Sequence, residues 1–192
     1  MNIHSKKLWA GTLAAGVTAT LGLTIIASSA PAESQQQRGG AVIEMTFDGG
    51  PPLFTGDTSE VVAGQTLTIV NNTRPRQIGP HLFSLIKPRA LPETRKEIKA
   101  CLRLESFVCK RIFKAHKVNP ETFEVKKDTV EEGENGWDAQ FGNIVDGDSW
   151  YTEKKGDTHS RTVVADAGTR LGYICIVHPD TMQGVLDVAP SR

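Results

Sequence analysis

The feature that most constrains the fold is a short loop near the C-terminus that carries three different metal-binding side chains. Its sequence is Cys175-Ile-Val-His178-Pro-Asp-Thr-Met182, so two residues separate the thiol from the imidazole and three separate the imidazole from the thioether. Apolar, strand-like runs flank the loop at 171–177 and 185–188. A loop this tight between two strands can present all three side chains to one ion.

The ligand types indicate which ion this is. Soft sulfur ligands and imidazole suit copper, and one Cys, two His and a weak axial Met form the set found in blue-copper sites. The loop supplies only one His, and the candidate for the second is His81, which stands before the apolar run 82–86. We therefore predict a metal site made of His81, Cys175, His178 and Met182. Such a site leaves no position for a substrate, which favours electron transfer over bond chemistry.

This pattern resembles the cupredoxins, the family of small blue copper proteins that includes plastocyanin and azurin. The resemblance covers about residues 41–190 and rests on the Cys-x2-His-x3-Met loop, on Tyr173, on Gly184 and on the Pro-His pair ending at His81. It implies an all-β, antiparallel Greek-key β-sandwich that holds one type 1 copper ion. It also implies a protein that carries single electrons between redox partners by Cu(II)/Cu(I) cycling.

One position departs from the family pattern. Many cupredoxins have Asn directly after the upstream His, where it helps to tie the two ligand loops together, but this chain has Leu82. The substitution leaves open how the sulfur of Cys175 is hydrogen-bonded and what reduction potential follows.

Apolar alternation and turn residues predict short strands with one interruption. The predicted strands lie at 41–47, 61–70, 82–86, 161–165, 171–176 and 184–188. Between the third and fourth we expect an insertion at about 87–150, with its helical part at about 92–117. Short strands with turn signals, without periodic helices outside the insertion, are typical of an antiparallel β-sandwich.

The N-terminus reads as an export signal at 1–32. Lys6 and Lys7 precede the apolar run 8–27, and Ala30-Pro-Ala32 has the small residues of a cleavage site. Residues 33–40 read as a flexible linker. We therefore expect an exported monomer in the periplasm or outside the cell, with membrane contact only if this segment is retained as an anchor.

The cysteines suggest a disulfide within the insertion. Export implies an oxidising compartment, and three cysteines leave one unpaired. A metal needs the thiolate of Cys175, which leaves Cys101 and Cys109 as a pair. Eight residues of straight helix rise about 12 Å, whereas bridgeable Cα atoms lie within about 7 Å. The pair therefore predicts a helix–turn–helix. The alternatives are one helix with two buried thiols, or a second copper or zinc site with His116. Otherwise we expect His116 and His159 to be solvated.

Charge is balanced overall but unevenly distributed. The chain has 22 basic and 22 acidic residues, so nothing favours nucleic acid as a partner. Residues 87–117 carry ten Lys or Arg and three acidic residues, whereas 118–192 carry seven and fourteen. One interpretation is a solvated basic helix. The other is a docking surface at Lys110, Arg111 and Lys114 for an acidic redox partner, an anionic lipid or a wall polymer.

Two other function classes compete with electron transfer. A copper module for storage, delivery or sensing can use the same ligands. An enzyme with Cys175 as nucleophile and His178 as base needs a reactive, exposed thiolate and gives Met182 no role. Multicopper chemistry needs more histidines than the five present. We therefore expect a protein that is not an enzyme.

Overall fold

The computed structural model describes residues 39–119, 121–122, 124–139 and 146–191. The expected signal at 1–32, and all but the last two residues of the expected linker, lie outside this part of the chain. Within it, two β-sheets pack face to face and a pair of helices covers the outer face of one of them. This is the predicted all-β sandwich with a helical insertion.

The strands are short, and ten fall within the described residues. In chain order they are β1 (Ala41–Thr46), β2 (Leu53–Gly56), β3 (Glu60–Val62), β4 (Thr66–Asn71), β5 (His81–Ile86), β6 (Thr129–Val130), β7 (Asp146–Thr152), β8 (Thr158–Thr162), β9 (Arg170–Ile174) and β10 (Gln183–Ala189). The order is β2-β1-β4-β8 in one sheet and β3-β10-β9-β5-β7-β6 in the other. Two pairs, β1 with β4 and β3 with β10, run parallel, so both sheets are mixed rather than purely antiparallel.

Strand β5 is buried along its whole length because both of its faces are covered. Phe83 and Leu85 point into the core between the sheets, which also contains Trp137 and Tyr173. Leu82 and Ile86 belong to a second apolar cluster between the sheet and the helices. The strand that begins with His81 is therefore fixed from two sides.

Three short helices lie among the described residues, and the last two, which are joined by a turn, form the helical part of the insertion. The helices are α1 (Pro75–Ile78), α2 (Arg95–Leu102) and α3 (Phe107–Ala115), with a 3-10 turn at Pro88–Ala90. Thr94 caps α2: its hydroxyl accepts from the Glu97 N–H, and the Glu97 carboxylate accepts from the Thr94 N–H. None of the helices in the described ranges is long and apolar enough to cross a membrane.

A disulfide joins Cys101 of α2 to Cys109 of α3, with the two Cα atoms 5.3 Å apart. The turn between the helices contains neither Gly nor Pro. It reverses the chain through Leu104, whose φ of 57° lies in the left-handed region. The helix–turn–helix alternative for this pair is therefore the one that the structure has.

Several predicted boundaries differ from the structure. The strand expected at 161–165 is β8, which spans Thr158–Thr162. The strand expected at 61–70 is two strands, β3 and β4, which lie in different sheets and are separated by a turn at Gly64 with φ 79°. The expected insertion at about 87–150 overlaps β7, which starts at Asp146 and pairs with β5.

Candidate metal centre

Two neighbouring strands of the six-stranded sheet bring the predicted ligands to one edge. His81 is the first residue of β5, and Cys175 follows the last residue of β9. These strands pair antiparallel, with Ser84 opposite Ile174. The start of one strand therefore lies beside the end of the other, which places residues 94 positions apart in sequence next to each other.

The loop between β9 and β10 is closed by its own backbone. The Cys175 N–H donates to the Met182 carbonyl at 2.8 Å, and the Met182 N–H donates to the His178 carbonyl at 2.9 Å. The Thr181 hydroxyl donates to the Pro52 carbonyl at 2.7 Å, which connects the loop to the residue before β2 of the four-stranded sheet. These bonds fix the relative positions of the thiol, the imidazole and the thioether.

Three of the four predicted ligands form a cluster. The Sγ of Cys175 lies 4.0 Å from Nδ1 of His81 and 3.8 Å from Nδ1 of His178. One ligand atom from each of the three residues lies within 4.8 Å of the others. The two imidazole rings are 4.9 Å apart between centroids. Met182 is fully buried in the same core cluster as Cys175.

These separations fit a single metal ion. With bond lengths of about 2.3 Å to sulfur and about 2.0 Å to nitrogen, and an angle of about 120°, the sulfur and nitrogen atoms would be about 3.7 Å apart. The observed distances of 3.8 and 4.0 Å are close to that value. One thiolate and two imidazoles could therefore hold one ion without rearrangement of the strands.

Burial differs among the ligands. His81 and Cys175 have no solvent-exposed surface, whereas His178 is half-buried. His178 is therefore the ligand through which the site meets the surface. The buried Nε2 of His81 has no hydrogen-bond partner among the described residues.

The electrostatics keep both histidines neutral at pH 7. Burial, with a smaller effect from the neighbouring charge of His178, lowers the pKa of His81 to about 4. Burial also lowers the pKa of His178, against the opposing effects of the Ile78 backbone and of Asp180. Each imidazole therefore keeps a lone pair for a metal ion.

The thiol of Cys175 is also held in its neutral form, but by a shift of its pKa in the other direction. Burial raises its pKa, although the backbone N–H groups of Leu82, Val177 and His178 partly oppose the shift. In the absence of a metal the group is therefore a protonated thiol, and binding of a cation must release the proton.

The hydrogen bond to the sulfur does not depend on the side chain after His81. The backbone N–H of Leu82 donates to Sγ of Cys175 at 3.4 Å. The side chain of Leu82 lies in the second apolar cluster, with residues of α2 and α3. The backbone of Leu82 therefore provides the hydrogen bond to the sulfur of Cys175. Its side chain packs against the helical insertion.

The other predicted residues lie outside the cluster. Because Cys101 and Cys109 form a disulfide, they are not available as thiolates for a second metal with His116. Lys110 and Lys114 are exposed on α3, and the guanidinium of Arg111 lies 5.7 Å from the centroid of the Phe107 ring.

The predicted solvation of His116 is wrong. Its side chain is fully buried, with Nδ1 2.6 Å from the Lys127 carbonyl and Nε2 2.7 Å from the Ser149 hydroxyl. These partners are distant in sequence, so no local pattern could have revealed them.

The predicted solvation of His159 is also wrong. It is half-buried, its ring stacks on Trp150 at 5.5 Å, and it meets Trp137 edge to face at 5.4 Å. Both aromatic partners are visible in the sequence, but the pairing of strands that brings them to His159 is not.

No family model matches the sequence, and no curated protein matches it. Several solved structures are similar. An auracyanin from Roseiflexus castenholzii is 16% identical, with a TM-score of 0.41, and the alignment covers 79% of this chain and 99% of that protein. Auracyanin A from Chloroflexus aurantiacus, described as a blue copper protein, is 22% identical over 78% of this chain and 99% of its own, with a TM-score of 0.40. A purple cupredoxin from Nitrosopumilus maritimus is 13% identical over 78% and 99%, with a TM-score of 0.37.

Proposed function

We propose that this chain is a cupredoxin, an exported protein that holds one type 1 copper ion and carries single electrons between redox partners. The observation that carries the proposal is the cluster of the buried Cys175 thiol with the imidazole nitrogens of His178 and His81 at 3.8 and 4.0 Å, beside a loop that also buries Met182. A β-sandwich does not need this set of soft ligands for the packing of its own core.

The proposed ligands have separate roles. Cys175 would hold the ion as the thiolate, and His81 and His178 would hold it through Nδ1 as neutral imidazoles. Met182 would offer its thioether as a weaker ligand that tunes the potential. Copper supplies a one-electron change between two oxidation states when bound, and the chain supplies a frame that suits both.

The frame favours electron transfer because contacts on several sides hold it in place. The loop is closed by backbone hydrogen bonds at both ends, and β5 is buried on both faces. Water is excluded from His81 and Cys175, which have no exposed surface. We expect a site held in this way to need little rearrangement when its charge changes by one.

Electrons would enter and leave the site through the half-buried His178. It is the proposed ligand nearest to solvent, so a partner that docks over it comes closest to the metal. The partner we expect is another redox protein, with Lys110, Arg111 and Lys114 as a candidate docking surface.

Thiol catalysis is a poor fit to this site. Reactive cysteines have a lowered pKa and are accessible, whereas Cys175 is fully buried and its pKa is raised. We therefore propose that the protein is a carrier and not an enzyme.

Voltammetry of residues 33–192 loaded with copper tests the proposal. We expect a reversible one-electron wave that persists over repeated cycles in the presence of a Cu(I) chelator, and no wave for Cys175→Ser. Rapid loss of Cu(I) to the chelator would instead identify a module for copper delivery or storage.

A further inference from the structure

Three of the four proposed ligands are each followed by a residue that the helical insertion holds. Leu82 follows His81, Ile176 follows Cys175, and Gln183 follows Met182. We call the segment from α2 to α3, residues 95–115, the hairpin.

The first two of these residues lie in one buried apolar cluster with the hairpin. Leu82 and Ile176 are 4% and 6% exposed, and the cluster also contains both disulfide cysteines. Because side chains alternate across β5, Leu82 lies on the helix side of the sheet and His81 on the other. Ile176 lies in the turn after β9 and reaches the same cluster. A shift of the hairpin therefore moves the backbone of both ligands.

The third residue is held by a hydrogen bond. The side-chain amide of Gln183 donates to the Pro92 carbonyl at 2.9 Å, just before α2 begins. The insertion thus contacts the ligand loop after the methionine as well as before it.

The hairpin is itself fastened at two places. The disulfide joins its helices near the turn. At its other end, His116 contacts the Ser149 hydroxyl at 2.7 Å, and this hydroxyl lies 2.5 Å from that of Ser84 on β5. The second fastening is three residues from His81 on the same strand.

We propose that the disulfide-closed hairpin is the outer wall of the metal centre, and that it positions His81 and Cys175 through Leu82 and Ile176. Leu82 acts in two ways: it packs under the hairpin, and its N–H holds the sulfur of Cys175 at 3.4 Å. Its role is one of positioning, since it reaches the metal only through His81 and this hydrogen bond. The proposal rests on the proposed copper function for its spectral consequence, but its structural part applies equally to the metal-free protein.

Metal-free protein gives the first test, through the rate at which a thiol reagent modifies Cys175. We expect the double variant Cys101→Ser/Cys109→Ser, and separately Leu82→Ala, to raise this rate by about tenfold or more, because the wall over the buried thiol opens more often. Leu82→Met should restore slow modification, since it refills the same volume. Leu102→Ala and Phe107→Ala are matched controls on the same hairpin, because their side chains are 54% and 66% exposed, and neither should change the rate.

Copper-loaded protein gives the second test. The band from sulfur to copper and the copper hyperfine splitting should shift in Leu82→Ala and in Gln183→Ala, and should stay unchanged in the two exposed controls. Gln183→Ala removes one hydrogen bond and no core volume, so it tests the contact even if the larger changes unfold the protein.

The outcomes separate this proposal from the proposed function. Folded Leu82→Ala and Gln183→Ala proteins with unchanged thiol reactivity and an unchanged spectrum would overturn the positioning role. A wild-type protein that binds no copper would overturn the proposed function, while the thiol-modification rates would still decide whether the hairpin shields Cys175.

Discussion

At the scale of single residues, the environment of Cys175 determines what the site can do. The thiol has no exposed surface, and its pKa lies above the ordinary value because of burial. Two neutral imidazoles lie within 4.0 Å of it. Such a thiol is inert toward solvent but is ready to bind a soft cation that displaces its proton.

The proposed role of Met182 leads to a prediction about the reduction potential. We expect Met182→Gln to lower the reduction potential, because an amide oxygen favours Cu(II), and Met182→Leu to raise it, because loss of a donor favours Cu(I). A shift of about 59 mV corresponds to a tenfold change in the preference for one state, and we expect shifts of roughly that size. Potentials that are the same in both variants would exclude Met182 as a ligand.

A second residue-scale prediction concerns His116. Burial lowers its pKa, against opposing effects of the Lys127 carbonyl and Asp128, so the folded protein holds it neutral. A neutral ring that donates from Nδ1 to the Lys127 carbonyl can accept from the Ser149 hydroxyl at Nε2.

Because the folded pKa lies below the unfolded value of about 6.5, the unfolded chain binds more protons as the pH falls through that value. The contribution of His116 to stability is therefore complete above pH 6.5 and is lost on acidification. We expect His116→Gln to lose less stability than wild type between pH 7.5 and pH 5 in urea unfolding of the metal-free protein. An equal pH dependence in both proteins would show that His116 does not contribute.

At the scale of elements, the site depends on the pairing of β5 with β9 and on the hairpin that covers them. The ligand loop could be predicted from sequence because its three side chains lie within eight residues and strands flank it. His81 could be proposed only because the copper ligand set requires one more imidazole than the loop supplies. Its place beside Cys175 depends on a strand register that no local pattern encodes.

The insertion region contains a strand and a buried histidine that no local sequence pattern indicates. The acidic stretch that follows the hairpin gave no strand signal at β7, which pairs with β5 and lies near α3. The buried side chains of β7 include Asp148, Ser149, Trp150 and Thr152. The burial of His116 has the same origin, because its partners belong to the segment after the hairpin and to β7.

The disulfide leads to a prediction about the free energy of unfolding. Closing a loop with a separation of eight residues should stabilise the hairpin by about 2–3 kcal/mol through the lower entropy of the unfolded chain. We expect Cys101→Ser/Cys109→Ser to lose about that much in urea unfolding. A loss below about 0.5 kcal/mol would mean that the hairpin is held by its apolar face alone.

At the scale of the whole molecule, charge is balanced in number but separated in position. The hairpin and its flanks are basic, and the C-terminal part of the chain is acidic. An uneven distribution of this kind steers charged partners at low ionic strength and adds little at high salt.

Charge reversal tests whether the hairpin is a docking surface. We expect Lys110→Glu/Arg111→Glu/Lys114→Glu to slow electron exchange with an acidic redox partner severalfold at low salt, with the difference vanishing near 0.5 M salt. Arg170→Glu is the control for charge reversal elsewhere on the surface, since Arg170 is exposed, pairs with Asp187 and lies at the end of β9 away from Cys175. Equal rates for the triple variant and wild type at low salt would count against docking at the hairpin.

The central claim is that Cys175 binds copper as a thiolate together with two histidines. The most direct measurement is the visible and EPR spectrum of residues 33–192 with one equivalent of Cu(II), recorded beside Cys175→Ser. We predict an intense blue or green band from sulfur to copper that disappears in the variant. A colourless protein, or a band that does not depend on Cys175, would contradict the claim and leave a β-sandwich without the proposed electron-transfer site.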